Sequence, residues 1–271
     1  MKLFVISDLH AGFAENDFLF SWHREETIKK EFAFLEDVDV LCACGDIDEG
    51  LMGAIWLLKV LNCFPHLQVV YVPGNHEYYN HQMEALWRDW DRLDQTNPRL
   101  HILGLPHKIK HQTEHVTFIG HTMWTDFNKQ NMNVMNEAQR CMNDYRCIMS
   151  TERGKGLTAN RVLNEHFNAR KRIFKALDRE GNTPTVVLTH HTPYLARPYM
   201  KDTLSYAYHV DLTEEFNNCQ HLPVYWFSGH THKSEYFTET FANGTVTFVS
   251  NQYGYPTEGA TGFSKYCILE I

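Results

Sequence analysis

The chain has 271 residues, of which 43% are hydrophobic and 21% are charged, and its formal net charge is −8. This composition is typical of a folded protein and excludes an intrinsically disordered chain. The acidic balance argues against a broad surface for duplex nucleic acid, because such surfaces rely on lysine and arginine. No apolar stretch approaches the length of a membrane span, and the apolar run at residues 1–6 is too short for a signal peptide.

The cysteines indicate a reducing environment. There are seven, an odd number, and Cys42 and Cys44 form the only close pair. Alternate residues of a strand point to opposite faces, so this pair is not expected to share a disulfide or a zinc ion. We therefore expect reduced, mostly buried thiols and a cytoplasmic protein.

The first half of the chain repeats a pattern of apolar strand, polar turn and helix. Strands are predicted at residues 2–6, 38–43 and 67–72, and helices at residues 25–35, 51–64 and 78–93. This alternation is typical of an α/β sheet with parallel strands, in which ligands bind beyond the carboxyl ends of the strands. Within the third helix, Tyr79 is expected to face the core.

Alternating and apolar runs predict further strands in the second half of the chain. These lie at residues 100–105, 115–121, 185–189, 224–227, 235–241, 245–250 and 265–271, and residues 157–177 have helical spacing. Because no linker-like tract divides the chain, we expect one domain spanning residues 1–271. Residues 122–157 and 194–222 lack clear periodicity and are expected to be cap-like insertions.

Candidate metal ligands follow five of the predicted strands. They are Asp8, His10, Asp46, Asn75, His190, His230 and His232. Carboxylate, amide and imidazole donors suit Mn²⁺, Fe or Zn²⁺, and the set is too large for one ion but about right for two. Taken alone, the residues from Asn75 to Glu77 are better explained as a hairpin or a helix N-cap than as a functional site, and Glu77 keeps the role of a helix start.

The same residues fall into five blocks that resemble a known superfamily. The blocks are Asp8-Leu9-His10, Gly45-Asp46, Gly74-Asn75-His76-Glu77, His190 and Gly229-His230-Thr231-His232. In this order they resemble the motifs of the calcineurin-like metallophosphoesterase superfamily. The resemblance implies a four-layer α-β-β-α sandwich of two mixed β-sheets flanked by helices, with a dinuclear site at the sheet edge.

Three further segments are similar to a bacterial and phage branch of this superfamily whose substrate is unsettled. They are Thr122-Met123-Trp124-Thr125-Asp126-Phe127, Met142-Asn143-Asp144-Tyr145-Arg146 and Asn251-Gln252-Tyr253-Gly254-Tyr255.

The resemblance also implies roles for single residues. One metal ion is held by Asp8, His10, Asp46 and His232, and the other by Asp46, Asn75, His190 and His230. Asp46 bridges the two ions, which together convert a shared water into a hydroxide for in-line attack on phosphorus. His76 is not a ligand but the general acid that protonates the leaving oxygen. Of the neighbours His190 and His191, the first is the expected ligand.

A general-acid histidine needs a carboxylate to orient it. We expect Glu49 to orient His76. The alternative is that Glu49 caps the helix that starts near Leu51.

The sequence leaves the substrate open. The arginines that clamp phosphate in the serine/threonine phosphatase branch are replaced here by Asp48-Glu49-Gly50 and by Pro73. We therefore favour phosphodiesters among small phosphorylated molecules such as nucleotides, with phosphomonoesterase or nucleotide pyrophosphohydrolase activity as alternatives. Arg146 and Arg197 are candidates for binding the substrate, or else ordinary surface arginines.

Two other functions stay open. The net negative charge of the chain counts against a nuclease. A non-catalytic scaffold with the same fold would typically lack a ligand or the catalytic histidine, and none is missing here.

Overall fold

Two mixed β-sheets form the centre of the protein. The computed structural model describes residues 1–12, 24–149, 156–180, 183–193, 202–255 and 257–271. Its strands are β1 (Lys2–Ile6), β2 (Val40–Ala43), β3 (Gln68–Tyr71), β4 (Leu100–Ile102), β5 (Lys110–Gln112), β6 (Thr117–His121), β7 (Thr185–Thr189), β8 (Tyr225–Phe227), β9 (Glu235–Phe241), β10 (Gly244–Ser250) and β11 (Ile268–Glu270).

Most strands in both sheets are parallel, and antiparallel strands lie at the edges. The first sheet has the order β11-β1-β2-β3-β4, and β11 runs antiparallel to β1. The second has the order β5-β6-β7-β8-β10-β9, with antiparallel β5 and β9 at its edges. Parallel strands that are neighbours in a sheet end at the same side, so the polar turns that follow them meet there.

The helices are α1 (Glu25–Glu31), α2 (Met52–Cys63), α3 (Met83–Thr96), α4 (Met132–Cys141), α5 (Asp144–Cys147), α6 (Ala159–Leu177) and α7 (Thr213–Asn218). The outer faces of the two sheets are covered by α1, α2, α3, α6 and α7, whereas α4 packs on α6 and on a 3₁₀ turn (Leu204–Ala207). One apolar cluster lies between the sheets and includes Val5, Val70, Phe118 and Leu188. A second cluster joins the first sheet to α1, α2 and α3, and a third joins the second sheet to α6 and α7. This is the predicted four-layer α-β-β-α sandwich, and the prediction is confirmed.

Several predicted boundaries are wrong because tertiary contacts override the local pattern. The helix predicted at residues 78–93 begins at Met83, because a 3₁₀ turn (His76–Tyr78) and extended backbone at Tyr79 come first. The helix predicted at residues 25–35 ends at Glu31 and continues as a 3₁₀ turn (Ala33–Asp37). The polar strand β5 was not predicted, since it pairs with β6 through its backbone and lacks an apolar pattern.

The cysteines are distributed between the interior and the surface. All seven cysteines lie in the described part of the chain and are free, and four of them are buried. In the ranges that the structure describes, no helix combines the length and apolarity required to span a bilayer.

Candidate metal centre

The seven predicted ligand residues converge where the parallel strands end. Potential ligand atoms within 4.8 Å of one another form three overlapping groups, namely Asp8–His10–His232, His10–Asp46–His76 and Asp46–His190–His230. These groups contain six of the seven residues together with His76, and the seventh, Asn75, contacts His190. Asp46 belongs to two of the groups. Six of the seven residues are buried, and His232 is partly exposed at the rim.

The side chains form two adjoining clusters on either side of Asp46. On one side, His10 Nε2 lies 3.1 Å from His232 Nε2, which is 3.4 Å from Asp8 Oδ1. On the other side, His190 Nε2 lies 2.9 Å from Asn75 Oδ1 and 3.1 Å from His230 Nδ1. Asp46 Oδ2 is 3.3 Å from His190 Nε2 and 3.9 Å from His10 Nε2, so it faces both clusters.

The orientation of the imidazole rings fits a cation in each cluster. His190 Nδ1 lies 2.8 Å from the carbonyl oxygen of Cys44, and His232 Nδ1 lies 2.6 Å from Glu258 Oε2. Both neighbours are acceptors, so in the neutral ring that a metal requires, each Nδ1 would donate and the lone pair of each Nε2 would face its cluster. Metal-binding histidines are commonly oriented by such an acceptor on their other nitrogen. Neutral rings would bring acceptor atoms to within about 3 Å of one another, an arrangement that a cation between them stabilises.

The electrostatics of the clusters agree with this arrangement. Burial raises the pKa of Asp46, but the adjacent His190 and His76 lower it by more, so the carboxyl stays well below its usual range. Burial lowers the pKa of His10 to about 3, which keeps this ring neutral. Burial also lowers the pKa of His232, but Asp8 and Glu258 more than offset this and raise it to about 9. The site therefore attracts positive charge.

The backbone is strained at five of the seven candidate ligands. Asp8, His10, Asp46, His230 and His232 have φ values between 46° and 73°. Side chains other than glycine rarely adopt this left-handed region, and such strain collects at functional sites. The turns therefore hold conformations that aim the side chains inwards.

Gly74 permits the close approach of two of these turns. A Cβ atom at this position would overlap Asp46 Oδ1 and would lie 2.7 Å from the backbone nitrogen of Asp46. A larger residue at Gly74 would therefore displace the shared carboxylate.

Hydrogen bonds to the Glu77 carboxylate join the turn after β2 to the turn after β3. Its side chain is fully buried. Its Oε2 accepts from the backbone nitrogens of Asp46 (2.9 Å) and Gly74 (2.8 Å), and its Oε1 accepts from Ile47 N and Tyr71 Oη (2.8 Å each). Burial raises the pKa of Glu77 to about 8, whereas hydrogen bonds from four donors favour the ionised carboxylate. The interpretation of Glu77 as only a helix start missed this role.

Glu77→Gln is expected to destabilise the metal-free protein by about 2–5 kcal/mol, because the amide NH₂ cannot accept and would face two donors. Urea unfolding measures this change. The matched variant Glu36→Gln, at an exposed residue, is expected to change stability by less than about 0.5 kcal/mol. Equal stability of the two variants would contradict the role assigned to Glu77.

His76 lies at the edge of the clusters, beside two tyrosines. Its Nε2 is 3.9 Å from Asp46 Oδ2 and 3.1 Å from Tyr255 Oη. The Tyr79 ring stacks on the imidazole at 4.2 Å. Tyr79 was expected only as part of a helix face in the core, but it also lines the cavity over the site.

The structure gives no support to Glu49 as the orienting partner of His76. The hydrogen bond of its carboxylate is with Asn80 Nδ2, at 3.1 Å. The alternative, in which Glu49 caps α2, also lacks support, because the N-cap residue of this helix is Leu51. The local spacing identified Glu49, but the side chain turns towards the loop after His76.

The remaining candidates lie outside the clusters or outside the described residues. Arg146 is exposed and its guanidinium donates to the carbonyl oxygen of Arg140 at 2.7 Å, which gives no support to substrate binding. Arg197 lies outside the described residues. His191 Nδ1 faces the carbonyl oxygen of Thr122 at 3.3 Å, and His191 is not part of the three ligand groups.

A cavity of about 700 Å³ opens over the two clusters. Both segments that lack clear periodicity contribute to its wall, the first through Cys141–Asp144 and the second through Ser205, Tyr208 and His209. Among the described residues that line it, Lys233 is the one lysine or arginine. The volume suits a small molecule.

Comparisons with known proteins agree with the resemblance of the five motifs. The family model for calcineurin-like phosphoesterases matches residues 1–234. Uncharacterized protein L509 of Acanthamoeba polyphaga mimivirus is 28% identical over 258 residues, which cover 87% of this chain and 85% of that protein.

Two solved structures share the fold at low sequence identity. Phosphopantetheinyl hydrolase (PptH) from Mycobacterium tuberculosis has a TM-score of 0.63 and 19% identity, covering 94% of this chain and 90% of that one. The protein TT1561 of Thermus thermophilus has a TM-score of 0.52 and 10% identity, covering 93% and 88%.

Proposed function

Because the chain belongs to the calcineurin-like phosphoesterase family, we propose that it hydrolyses small phosphodiesters with two bound divalent metal ions and His76 as general acid. The observation that carries this proposal is the pair of adjoining ligand clusters with Asp46 Oδ2 between them, 3.9 Å from His10 Nε2 and 3.3 Å from His190 Nε2. The position of His76 Nε2, 3.9 Å from the shared carboxylate, supports it further.

The ligand set divides between two ions, for which Mn²⁺, Fe and Zn²⁺ are the candidates. Asp8, His10, Asp46 and His232 would hold the first, and Asp46, Asn75, His190 and His230 the second. When bound, such ions supply an activated water as nucleophile and neutralise charge on the phosphoryl oxygens.

The protein's own groups would position the proton that the leaving oxygen needs. His76 Nε2 borders the cavity, so a proton held there can pass to a leaving oxygen that lies over the clusters. The backbone nitrogen of His76 donates to Asp46 Oδ1 at 2.9 Å, which fixes the general acid to the shared ligand. The Tyr255 hydroxyl makes a hydrogen bond to Nε2, at the place where the leaving oxygen would accept its proton.

The charge of the cavity favours a phosphodiester. A terminal phosphate carries two negative charges, and family members that act on proteins clamp it with arginines, whereas Lys233 is the one such cation in the described wall. Tyr79, Tyr208 and Tyr255 give the wall an aromatic character that suits a nucleotide base. Phosphomonoesterase and nucleotide pyrophosphohydrolase activities are the alternatives within this class.

Hydrolysis assays with defined metal content test the proposal. We expect metal-stripped protein reloaded with Mn²⁺ to bind two ions per chain and to hydrolyse bis-p-nitrophenyl phosphate at least about tenfold more efficiently than p-nitrophenyl phosphate, a difference of about 1.4 kcal/mol. Cyclic nucleotides, dinucleotides and nucleoside diphosphates extend the panel.

The same assays separate the competing functions. A preference for monoesters would replace the diester proposal by the phosphatase alternative. Cleavage of single-stranded DNA in preference to small diesters would favour the nuclease. Binding of fewer than one ion per chain, with no turnover of any substrate, would favour a non-catalytic scaffold.

A further inference from the structure

We propose that Asp144 is a positioning residue that orients the ligand Asn75 and supports the general acid His76, an inference that rests on the proposed function. Asp144 belongs to the first insertion and has only 3% of its surface exposed. It is absent from the three ligand groups. Its effect on the site must therefore pass through other side chains.

The first contact of Asp144 fixes the amide of Asn75. Asp144 Oδ1 accepts from Asn75 Nδ2 at 2.9 Å, and Asn75 Oδ1 on the other side lies 2.9 Å from His190 Nε2. A carboxylate can only accept, so it selects the nitrogen end of the amide. The oxygen end then faces the metal cluster, whereas a flipped amide would turn an NH₂ group towards the cation and lose the ligand.

The second contact reaches the general acid through Tyr79. The same oxygen, Asp144 Oδ1, accepts from Tyr79 Oη at 2.7 Å. The Tyr79 ring stacks on His76 with centroids 4.2 Å apart and an interplanar angle of 26°. One buried oxygen thus holds both the ligand amide and the ring that supports the imidazole.

Backbone contacts hold Asp144 in this place. Asp144 opens the short helix α5, whose last residue, Cys147, accepts at its carbonyl from Asn80 N at 2.7 Å. Ile148 forms an antiparallel bridge with Tyr79, and Met149 N donates to His81 O at 3.1 Å. The insertion is therefore joined to the loop that follows His76, which is what a positioning residue requires.

The experiment compares metal binding and kinetics in four variants of the full chain. Asp144→Ala removes both contacts, Asp144→Asn keeps an acceptor oxygen of the same shape, and Tyr79→Phe removes one hydroxyl. Glu137→Ala is the control, since it removes another carboxylate of the same insertion, on α4. Equilibrium dialysis measures both Mn²⁺ affinities, assays on bis-p-nitrophenyl phosphate measure kcat and KM, and thermal unfolding of the metal-free protein reports folding.

The expected results separate the two contacts. Asp144→Ala weakens one of the two Mn²⁺ sites by about 10- to 100-fold and leaves the other within about threefold, as for other residues that orient a ligand. Asp144→Asn restores this site to within a few-fold of the original protein. Tyr79→Phe retains both Mn²⁺ affinities and KM but lowers kcat by about tenfold, and Glu137→Ala changes none of these quantities.

Other outcomes overturn the inference. Unchanged Mn²⁺ affinities in a folded Asp144→Ala protein would exclude the contact with Asn75. If that variant does not fold, Tyr79→Phe still decides the second contact, because an unchanged kcat would exclude it. Failure of the unsubstituted protein to bind two ions or to hydrolyse phosphoesters would instead refute the proposed function.

Discussion

Asp46→Asn is expected to remove both metal ions and to lower kcat/KM by about 1,000-fold or more, a loss of about 4 kcal/mol in transition-state stabilisation. Asp46 Oδ2 faces both clusters, and the carboxylate is 1% exposed. Asparagine keeps the shape of the side chain and an oxygen that can accept from His76 N. The substitution removes the negative charge that would stabilise both neighbouring cations.

Metal analysis after dialysis and assays on bis-p-nitrophenyl phosphate measure these losses. Asp48→Asn is the matched control, because it makes the same chemical change at a buried carboxylate two residues away. Asp48 Oδ1 accepts from Glu49 N at 2.8 Å, a bond that an amide oxygen can also accept. Loss of a single ion in Asp46→Asn would show that Asp46 does not bridge. Retention of both ions and of activity would contradict the site.

His76→Asn is expected to lower kcat by about 100- to 10,000-fold, the usual contribution of a general acid, while both metal ions stay bound. His76 contacts the clusters from the edge, and the proposed ligand set is complete without it. The loss should depend on the leaving group. p-Nitrophenolate leaves without much help from an acid, whereas an alkoxide, such as a nucleoside hydroxyl, needs the proton.

A series of phosphodiesters with leaving groups of increasing pKa tests this role of His76. The ratio of rates between the original protein and His76→Asn should grow along the series. The control is Tyr255→Phe, which removes the hydroxyl that bonds to Nε2 but keeps the imidazole, so its ratio should stay nearly constant. A constant ratio for His76→Asn would mean that His76 binds the phosphate without donating a proton.

The residues of the site that could be predicted are those at strand ends, which the local sequence pattern identifies. Short apolar runs that stop at Asp8, Asp46, Asn75, His190 and His230 identified strand ends. Since parallel strands present these ends at one edge, the side chains were expected to meet, and the structure brings them together. The order of the five motifs then indicated the family and its four-layer fold, both of which the comparisons and the topology confirm.

The supporting residues could not be found in this way, because their partners are distant in sequence. Glu77 accepts from Asp46 and Ile47, about 30 positions away, and Asp144 accepts from Asn75 across 69 positions. Tyr255 meets His76 across 179 positions. The motif containing Asp144 and the one containing Tyr255 were visible, but nothing in their spacing says which side chain points into the site.

Glu49 is a residue that local spacing singled out but that the structure directs elsewhere. Its spacing from Asp46 suggested a partner for His76, yet spacing does not determine the direction of a side chain in a turn. The structure directs it to Asn80, and the imidazole is instead flanked by Tyr79 and Tyr255.

The candidate donor residues could be read from strand ends, and the order of the five motifs indicated the family and its fold, because both are properties of short segments. How these donors are aimed and held could be learned only from the folded chain. The left-handed backbone at Asp8, Asp46 and His230 and the four bonds to Glu77 arise from turns packed against one another. Such packing is a property of pairs of distant segments, so no single stretch of sequence can specify it.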